Sequence, residues 1–511
     1  MLEYYFITGL LFIITSVIIF EKKTTLSIVL LLVGAFLLRV WAIQLDPFLN
    51  MWDEQFHALV AKTLSNNLLS PQLLPDIPLA NKVNDWSYDH IWLHKQPFFM
   101  WLMALSIKIF GVSEWAIRIP SVLLGTMAVF GSYKLGKNLI RHKVGFIAAL
   151  LIATSYISLS LTSGYQGTDH NDLVFSSLII ISFWFYSEYY VTKKLKWAIF
   201  TGFVVGLAVL TKWLTGLIIF IPWAVIVLKN YRNVKEWKGI VIAFLTSLIT
   251  FIPWQIYCYI NYYKSYKYEL EYNTRHLSEA IEGHGGGYSY HFDQLNLIYF
   301  NVEYWTMLTI FISAILIVLV KIKSTEKRIL ILLPITVVYL FFTFVATKMP
   351  LFTYAISGLV YLTFAFLIVY LLDLLTKYLR LNTKTSTIFN VIILLIVIFF
   401  NLNFLELKKV HGFGGEKGSY YWQLKEKEKK DIIDFKHNLS NKEKYIIFNT
   451  RERSYPSFTF YTGYPAYDFL PTKKDIHLLR EKGYEIIILD TGNLPKELIE
   501  NKGVHLYQFP K

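Results

Sequence analysis

The chain of 511 residues has one cysteine, Cys258, so no disulfide can form within it and a cysteine-built zinc module is excluded. It is also poor in charge. Only 17% of its residues are Asp, Glu, Lys or Arg, against about 25% in soluble domains. The acidic sign is the scarcer one, 36 residues against 50 basic, which leaves a net charge of +14. No collagen period, heptad array or repeat of solenoid length occurs. The first basic residues follow the first apolar run and no small-residue cleavage pattern is seen, so the start resembles neither a signal peptide nor a transit peptide.

Apolar residues fill the space. Hydrophobic residues make up 55% of the chain and aromatic ones 17%. A hydrocarbon core about 30 Å thick needs roughly 20 apolar residues in a helix. Such spans are expected at 4–20, 25–44, 116–137, 144–162, 172–190, 197–211, 213–228, 239–259, 303–320, 329–346, 353–372 and 387–404. The fold class is therefore a polytopic α-helical membrane protein with about twelve spans. Basic clusters at Lys22–Lys23, Lys134–Lys143, Lys193–Lys196, Lys229–Lys238, Lys321–Arg328 and Lys377–Lys384 all fall on one side of that arrangement. The positive-inside rule makes this side cytoplasmic and explains the net charge without nucleic acid. Residues 1–404 then form a transmembrane domain with outer loops at 45–115 and 260–302. The polar tail, 405–511, alternates β-rich runs (445–448, 485–489, 504–509) with a helical stretch near 473–482, which is a small α/β pattern outside the cytoplasm. The glycine-rich link 411–415 lacks the Lys-Ser/Thr of a phosphate loop and reads as a connector.

Residues able to carry chemistry gather in the outer loops. Asp53 and Glu54 follow the second span. Such a pair is more often a solvated helix terminus, but low solvation at an interface also suits a general base. His90 and His94 at i, i+4 could share a helical face, yet no third metal ligand is placed beside them. Lys95 adjoins an aromatic amphipathic stretch suited to a lipid headgroup phosphate. Asp169 and Asp172 open the fifth span, where helix capping is the plain alternative. Lys212 lies between two apolar runs, an expensive place for a lysine without a partner. Arg275 and His276 precede a glycine-rich segment that looks like a mobile loop, and Lys348 and Tyr354 flank Pro350 between two spans.

In this order, these segments resemble the bacterial branch of the glycosyltransferase-C superfamily, the protein O-mannosyltransferases and the lipid A aminoarabinose transferase. The resemblance runs over about 40–370: Asp53-Glu54, Lys95-Gln96-Pro97, Trp115-Ala-Ile-Arg118-Ile-Pro120, an aspartate opening a later span, Thr211-Lys212, Arg275-His276 and Lys348-x-Pro350-x-x-x-Tyr354. There are departures. Two spans precede Asp53 instead of one, Gln96 replaces a proline, and Asp169 and Asp172 compete for one position. The resemblance implies transfer of a hexose or pentose from a polyprenyl phosphate to a lipid, protein or glycan acceptor, in the bacterial inner membrane with the site outside. It implies Asp53 as base with Glu54 orienting it or structural, and Lys95, Lys348 and Lys212 at the donor phosphate. Asp169, Asp172, Arg275, His276 and Tyr354 would contact substrate. No cofactor is implied, and a divalent ion stays open, with His94 and His276 as its candidate ligands. The oligosaccharyltransferase branch is disfavoured, because neither Asp-x-Asp nor Trp-Trp-Asp occurs. A secondary transporter is the alternative of another class, but it would place its ionisable groups near the midplane in repeated halves. A membrane-anchored binding tail is a third, and no motif in the tail supports it.

Overall fold

A computed structural model describes all residues except 1, 47, 75–77, 80–84, 165–168, 233, 301, 410–419, 440–443, 451–453 and 510–511. The 411–415 link and the 165–168 part of the fifth-span motif lie outside the described residues. Helices α1 (Leu2–Ile19) and α2 (Thr24–Ala42) form a hairpin, followed by two outer-loop helices, α3 (Asp53–Leu64) and α4 (Phe98–Phe110). Then come α5 (Glu114–Leu139), α6 (His142–Ala153), α7 (Tyr156–Thr162), α8 (Asp169–Thr192), α9 (Leu195–Lys212), α10 (Phe220–Lys229) and α11 (Val234–Asn261). A second outer group holds α12 (Tyr263–Arg275), α13 (Tyr290–Asp293) and α14 (Leu295–Ile298), before α15 (Tyr304–Lys321), α16 (Thr325–Phe344), α17 (Ser357–Tyr378) and α18 (Thr383–Leu402).

Among the described residues, nine helices are long and apolar enough to cross a membrane, or ten if the bent pair α6–α7 is one span. Two features account for the difference from about twelve. The described part of α1, Glu3–Ile19, is a shorter apolar helix. Leu195–Lys229 counts once by length, but Trp213 adopts φ 57° directly after α9. The chain folds back there so closely that a Cβ on Gly216 would stand 2.7 Å from the Val209 nitrogen. The break falls where the apolar pattern divides. Small residues let the helices approach, as membrane bundles require: a Cβ on Gly136 of α5 would lie 2.5 Å from Gly145 Cα of α6.

The tail contains α19 (Phe404–Lys409), α20 (Tyr420–Asn438), α21 (Tyr455–Thr462), α22 (Lys473–Glu481) and α23 (Lys496–Ile499). Strands β1 (Tyr445–Phe448), β2 (Glu485–Leu489) and β3 (His505–Tyr507) make a parallel sheet in the order β1-β2-β3. A complete Thr472–Asp475 capping box starts α22.

Candidate active site

The Asp53-Glu54 pair divides into two environments. Trp52 turns the chain into α3 with φ 72°, a left-handed conformation that persists only where the surroundings over-determine it. Asp53 is the first residue of α3 and half-buried, whereas Glu54 is 1% exposed. Glu54 Oε1 accepts from Arg118 Nε at 2.7 Å and lies 3.1 Å from His170 Nε2. Its Oε2 accepts from Arg118 Nη2 at 3.0 Å, the Asn50 backbone N–H at 2.6 Å and Asn50 Nδ2 at 3.0 Å. Burial alone would raise this carboxyl; Arg118 and His170 override it and hold it well below the usual range. Arg118 also donates to the Ile43, Asp46 and Phe48 carbonyls at 3.0, 2.5 and 3.0 Å, clamping the turn that leads to α3. Gly164, at φ 73°, makes room for the network: a Cβ there would lie 2.7 Å from Glu54 Cδ. Glu54 is thus bound within a buried network, while Asp53 beside it stays half-buried at the helix start.

Beside Asp53 stands a cluster built by the two outer loops. The 90–97 segment is irregular, so His90 and His94 do not share a helical face. His94 stacks on Trp86 at 4.4 Å, with Trp92 and Tyr272 edge-on at 5.7 and 5.6 Å. Its Nδ1 lies 3.2 Å from Glu269 Oε2. Burial drives His94 well below its ordinary value, against the attraction of Asp53 and Glu282, and pushes the Glu269 carboxyl up to about 8. Glu282 accepts from Trp86 Nε1 and the Tyr272 hydroxyl, both at 2.9 Å. The Lys95 ammonium acts electrostatically on His94, Glu269, His276 and Glu282 together. A half-buried cation in a ring of aromatic and acidic groups can balance an incoming anion. Where the sequence suggests a loop, Glu269 to Arg275 is helical, and this rigid helix carries Glu269 and Tyr272 to His94.

A second group lies between α8, α9 and the 3₁₀ turn Phe352–Ile356. Lys212 pairs with Asp172 and sits 5.4 Å from the Phe352 ring centroid. Among the described residues, Asp172 Oδ2 has no hydrogen-bond partner. Tyr354 is buried within electrostatic reach of both Asp172 and Arg39. Lys348, 3% exposed, donates to the Phe342 and Thr343 carbonyls at 2.8 and 2.6 Å. The glycine-rich segment is stitched to this turn, the Lys348 N–H donating to the His284 carbonyl at 2.8 Å.

Asp53, His94, Lys95 and His276 are therefore gathered around one cluster, and Asp172, Lys212 and Tyr354 around another. Arg275 stands apart, in an exposed pair with Glu279 at 2.7 Å. The Asp169 side chain lies outside the described residues. Among the described residues, no group of three His, Cys, Asp or Glu could hold a metal ion. Glu269 engages His94 Nδ1 and the Tyr272 carbonyl engages His276 Nδ1, which leaves only Nε2 of each ring for a metal ion. Arg118, His170, Glu269 and Glu282 are the residues that sequence reasoning missed. Arg118 lies inside a recognised motif, but nothing local distinguishes it from a span-end cation.

The fold defines the class: a multi-pass membrane protein with the glycosyltransferase-C fold. Residues 94–257 match the family described as dolichyl-phosphate-mannose-protein mannosyltransferase. The chain superposes on ArnT from Cupriavidus metallidurans bound to undecaprenyl phosphate with a TM-score of 0.62 at 11% identity, over 95% of this chain and 90% of that one. It also superposes on the archaeal oligosaccharyltransferase AglB from Archaeoglobus fulgidus, with a TM-score of 0.57 at 15% identity, over 88% and 64% of the two chains. In sequence it is 27% identical over 203 residues to an uncharacterized protein of Aquifex aeolicus, covering 38% of this chain and 37% of that one. It is 24% identical over 131 residues to undecaprenyl phosphate-alpha-4-amino-4-deoxy-L-arabinose arabinosyl transferase 1 of Pseudomonas fluorescens, covering 24% of each. The chain thus spans well under half the length of the curated relatives it matches. The resemblance read from the motifs is borne out by these comparisons.

Proposed function

We propose that the protein transfers a sugar from a polyprenyl phosphate to an acceptor outside the cytoplasm, with Asp53 as base. The observation that carries this reading is the seat of Asp53: a half-buried carboxylate at a helix start, beside Lys95 and an aromatic cluster, with its neighbour Glu54 consumed by Arg118. The acceptor hydroxyl gives its proton to Asp53 as its oxygen bonds to the anomeric carbon, and the carbon–phosphate oxygen bond breaks. Polyprenyl phosphate leaves as an anion, whose charge Lys95 balances, with Lys348 and Lys212 serving the same phosphate. A single base and direct displacement suit inversion at that carbon. Residues 1–404 supply this chemistry, and the tail, 405–511, packs on it from the outer side.

The reading is tested by supplying purified protein with polyprenyl-phosphate hexoses and pentoses and an extract of envelope lipids, proteins and glycans. Release of polyprenyl phosphate that requires the extract is the expected result. Orientation is tested by cysteine labelling in intact cells, in a Cys258→Ser background. Tyr288→Cys and Lys430→Cys are expected to react with a membrane-impermeant maleimide, and Lys235→Cys and Thr325→Cys only after lysis. These positions sit in outer loop, tail and basic loops respectively, and the basic loops belong inside.

A further inference from the structure

The tail reaches back into the loop that carries Asp53. Helix α20 brings Lys425, 4% exposed, against Asp46 and Asn50. Lys425 Nζ donates to the Asp46 carboxylate and, at 2.6 Å, to Asn50 Oδ1. Asn50 passes the contact on to Glu54, and Glu54 to Arg118 and His170. An unbroken buried path of polar contacts therefore joins residue 425 to the neighbour of Asp53.

Two clamps hold the segment before Asp53. Arg118 grips the carbonyls of Ile43, Asp46 and Phe48 from the membrane part, while Lys425 grips the side chains of Asp46 and Asn50 from the tail. Both act on the segment that leads into Trp52, which has φ 72°. Other contacts keep the tail docked without Lys425. Lys62 of α3 donates to the Thr459 and Phe460 carbonyls at 3.2 and 2.6 Å. The Tyr461 hydroxyl accepts from the Leu49 N–H at 3.0 Å and donates to Glu114 at 2.6 Å. Gln55 donates to Glu428 at 3.2 Å. Removing the Lys425 ammonium thus loosens the loop at Asp46 and Asn50 while the tail stays docked.

We propose that Lys425 is a positioning residue for the reaction: from the tail it holds Asp46 and Asn50, alongside the Tyr461 contact to Leu49, so that Asp53 meets the acceptor. The inference rests on the reading of Asp53 as base. A misplacement of about 1 Å can cost about 10²-fold in rate, so Lys425→Met is expected to lower kcat by about 10–100-fold. The donor KM and the binding of undecaprenyl phosphate, followed by tryptophan fluorescence of the full-length protein in nanodiscs, should change by less than about threefold.

The decisive comparison is a double-mutant cycle. A residue that acts only through Asp53 adds nothing once Asp53 is gone, so Asp53→Asn/Lys425→Met should turn over as Asp53→Asn does. If Lys425→Met does not reach the membrane, Lys425→Gln, which keeps a donor for Asn50, carries the same comparison. Unchanged kcat per folded molecule, or full additivity in the cycle, overturns the inference while leaving Asp53 as base. Full turnover by Asp53→Asn overturns the base assignment itself, and the inference with it.

Discussion

Asp53→Asn is expected to lower turnover by about 10²–10⁴-fold, the range a positioned base supplies, while undecaprenyl phosphate still binds. Asparagine keeps the shape but lacks the basicity to take the acceptor proton, so donor recognition, proposed to fall to the lysines, is expected to be untouched. The contrast with its neighbour is the sharper part of the result. Glu54→Gln removes the charge opposite Arg118, which is 0% exposed. Breaking a buried pair on one side costs about 3–5 kcal/mol, so this variant should lose thermal stability and yield. What folds of it should retain more turnover per molecule than Asp53→Asn. Kinetics normalised to folded protein, beside melting curves, make the comparison; a fully active Asp53→Asn would show that the carboxylate pair has only a structural use.

Lys95→Met is expected to produce the second large loss, about 10²–10³-fold in kcat/KM, in the range of removing one preorganised stabiliser of developing charge. Methionine fills the volume of the lysine stem and leaves no ammonium. The effect should exceed that of Lys348→Met, because Lys348 is already committed to two carbonyls, whereas Lys95 faces Glu269, Glu282, His94 and His276 through space. Titrating undecaprenyl phosphate against undecaprenol separates charge recognition from tail recognition. The wild type should prefer the phosphate strongly, and the Met variant should lose most of that preference. An unaltered preference would return Lys95 to the role of a lysine reaching out of the apolar layer.

Much of this was legible before any coordinates. Span positions follow from apolar runs that have no alternative to burial in lipid, and even the division at Lys212–Trp213 shows as a polar break. The outer-face motifs around Asp53, Lys95, Lys212 and Lys348 stand out because lysines and acids at span ends are expensive without a use. Partner choice was not legible. Arg118 meets Glu54 across 64 positions and Glu269 meets His94 across 175, and no local pattern encodes a contact set by helix packing. Residues 263–275 look like a loop because their mean character is polar, yet tertiary contacts through Glu269 and Tyr272 hold them helical. Lys425 sits in a run of alternating Lys and Glu, which reads as a solvated helix face; only the fold shows one of those lysines turned inward.

The seating of Lys425 also places the onset of activity in time. A ribosome makes the chain from its N-terminus, so every described span and every lysine proposed for the donor is made before residue 425. At that stage the loop before Asp53 has the Arg118 clamp alone. The second clamp arrives with residue 425, and the Lys62 and Tyr461 contacts that dock the tail arrive later still. On the proposed reading, a nascent chain already threaded through the bilayer turns over below its full rate until Lys425 has emerged and docked.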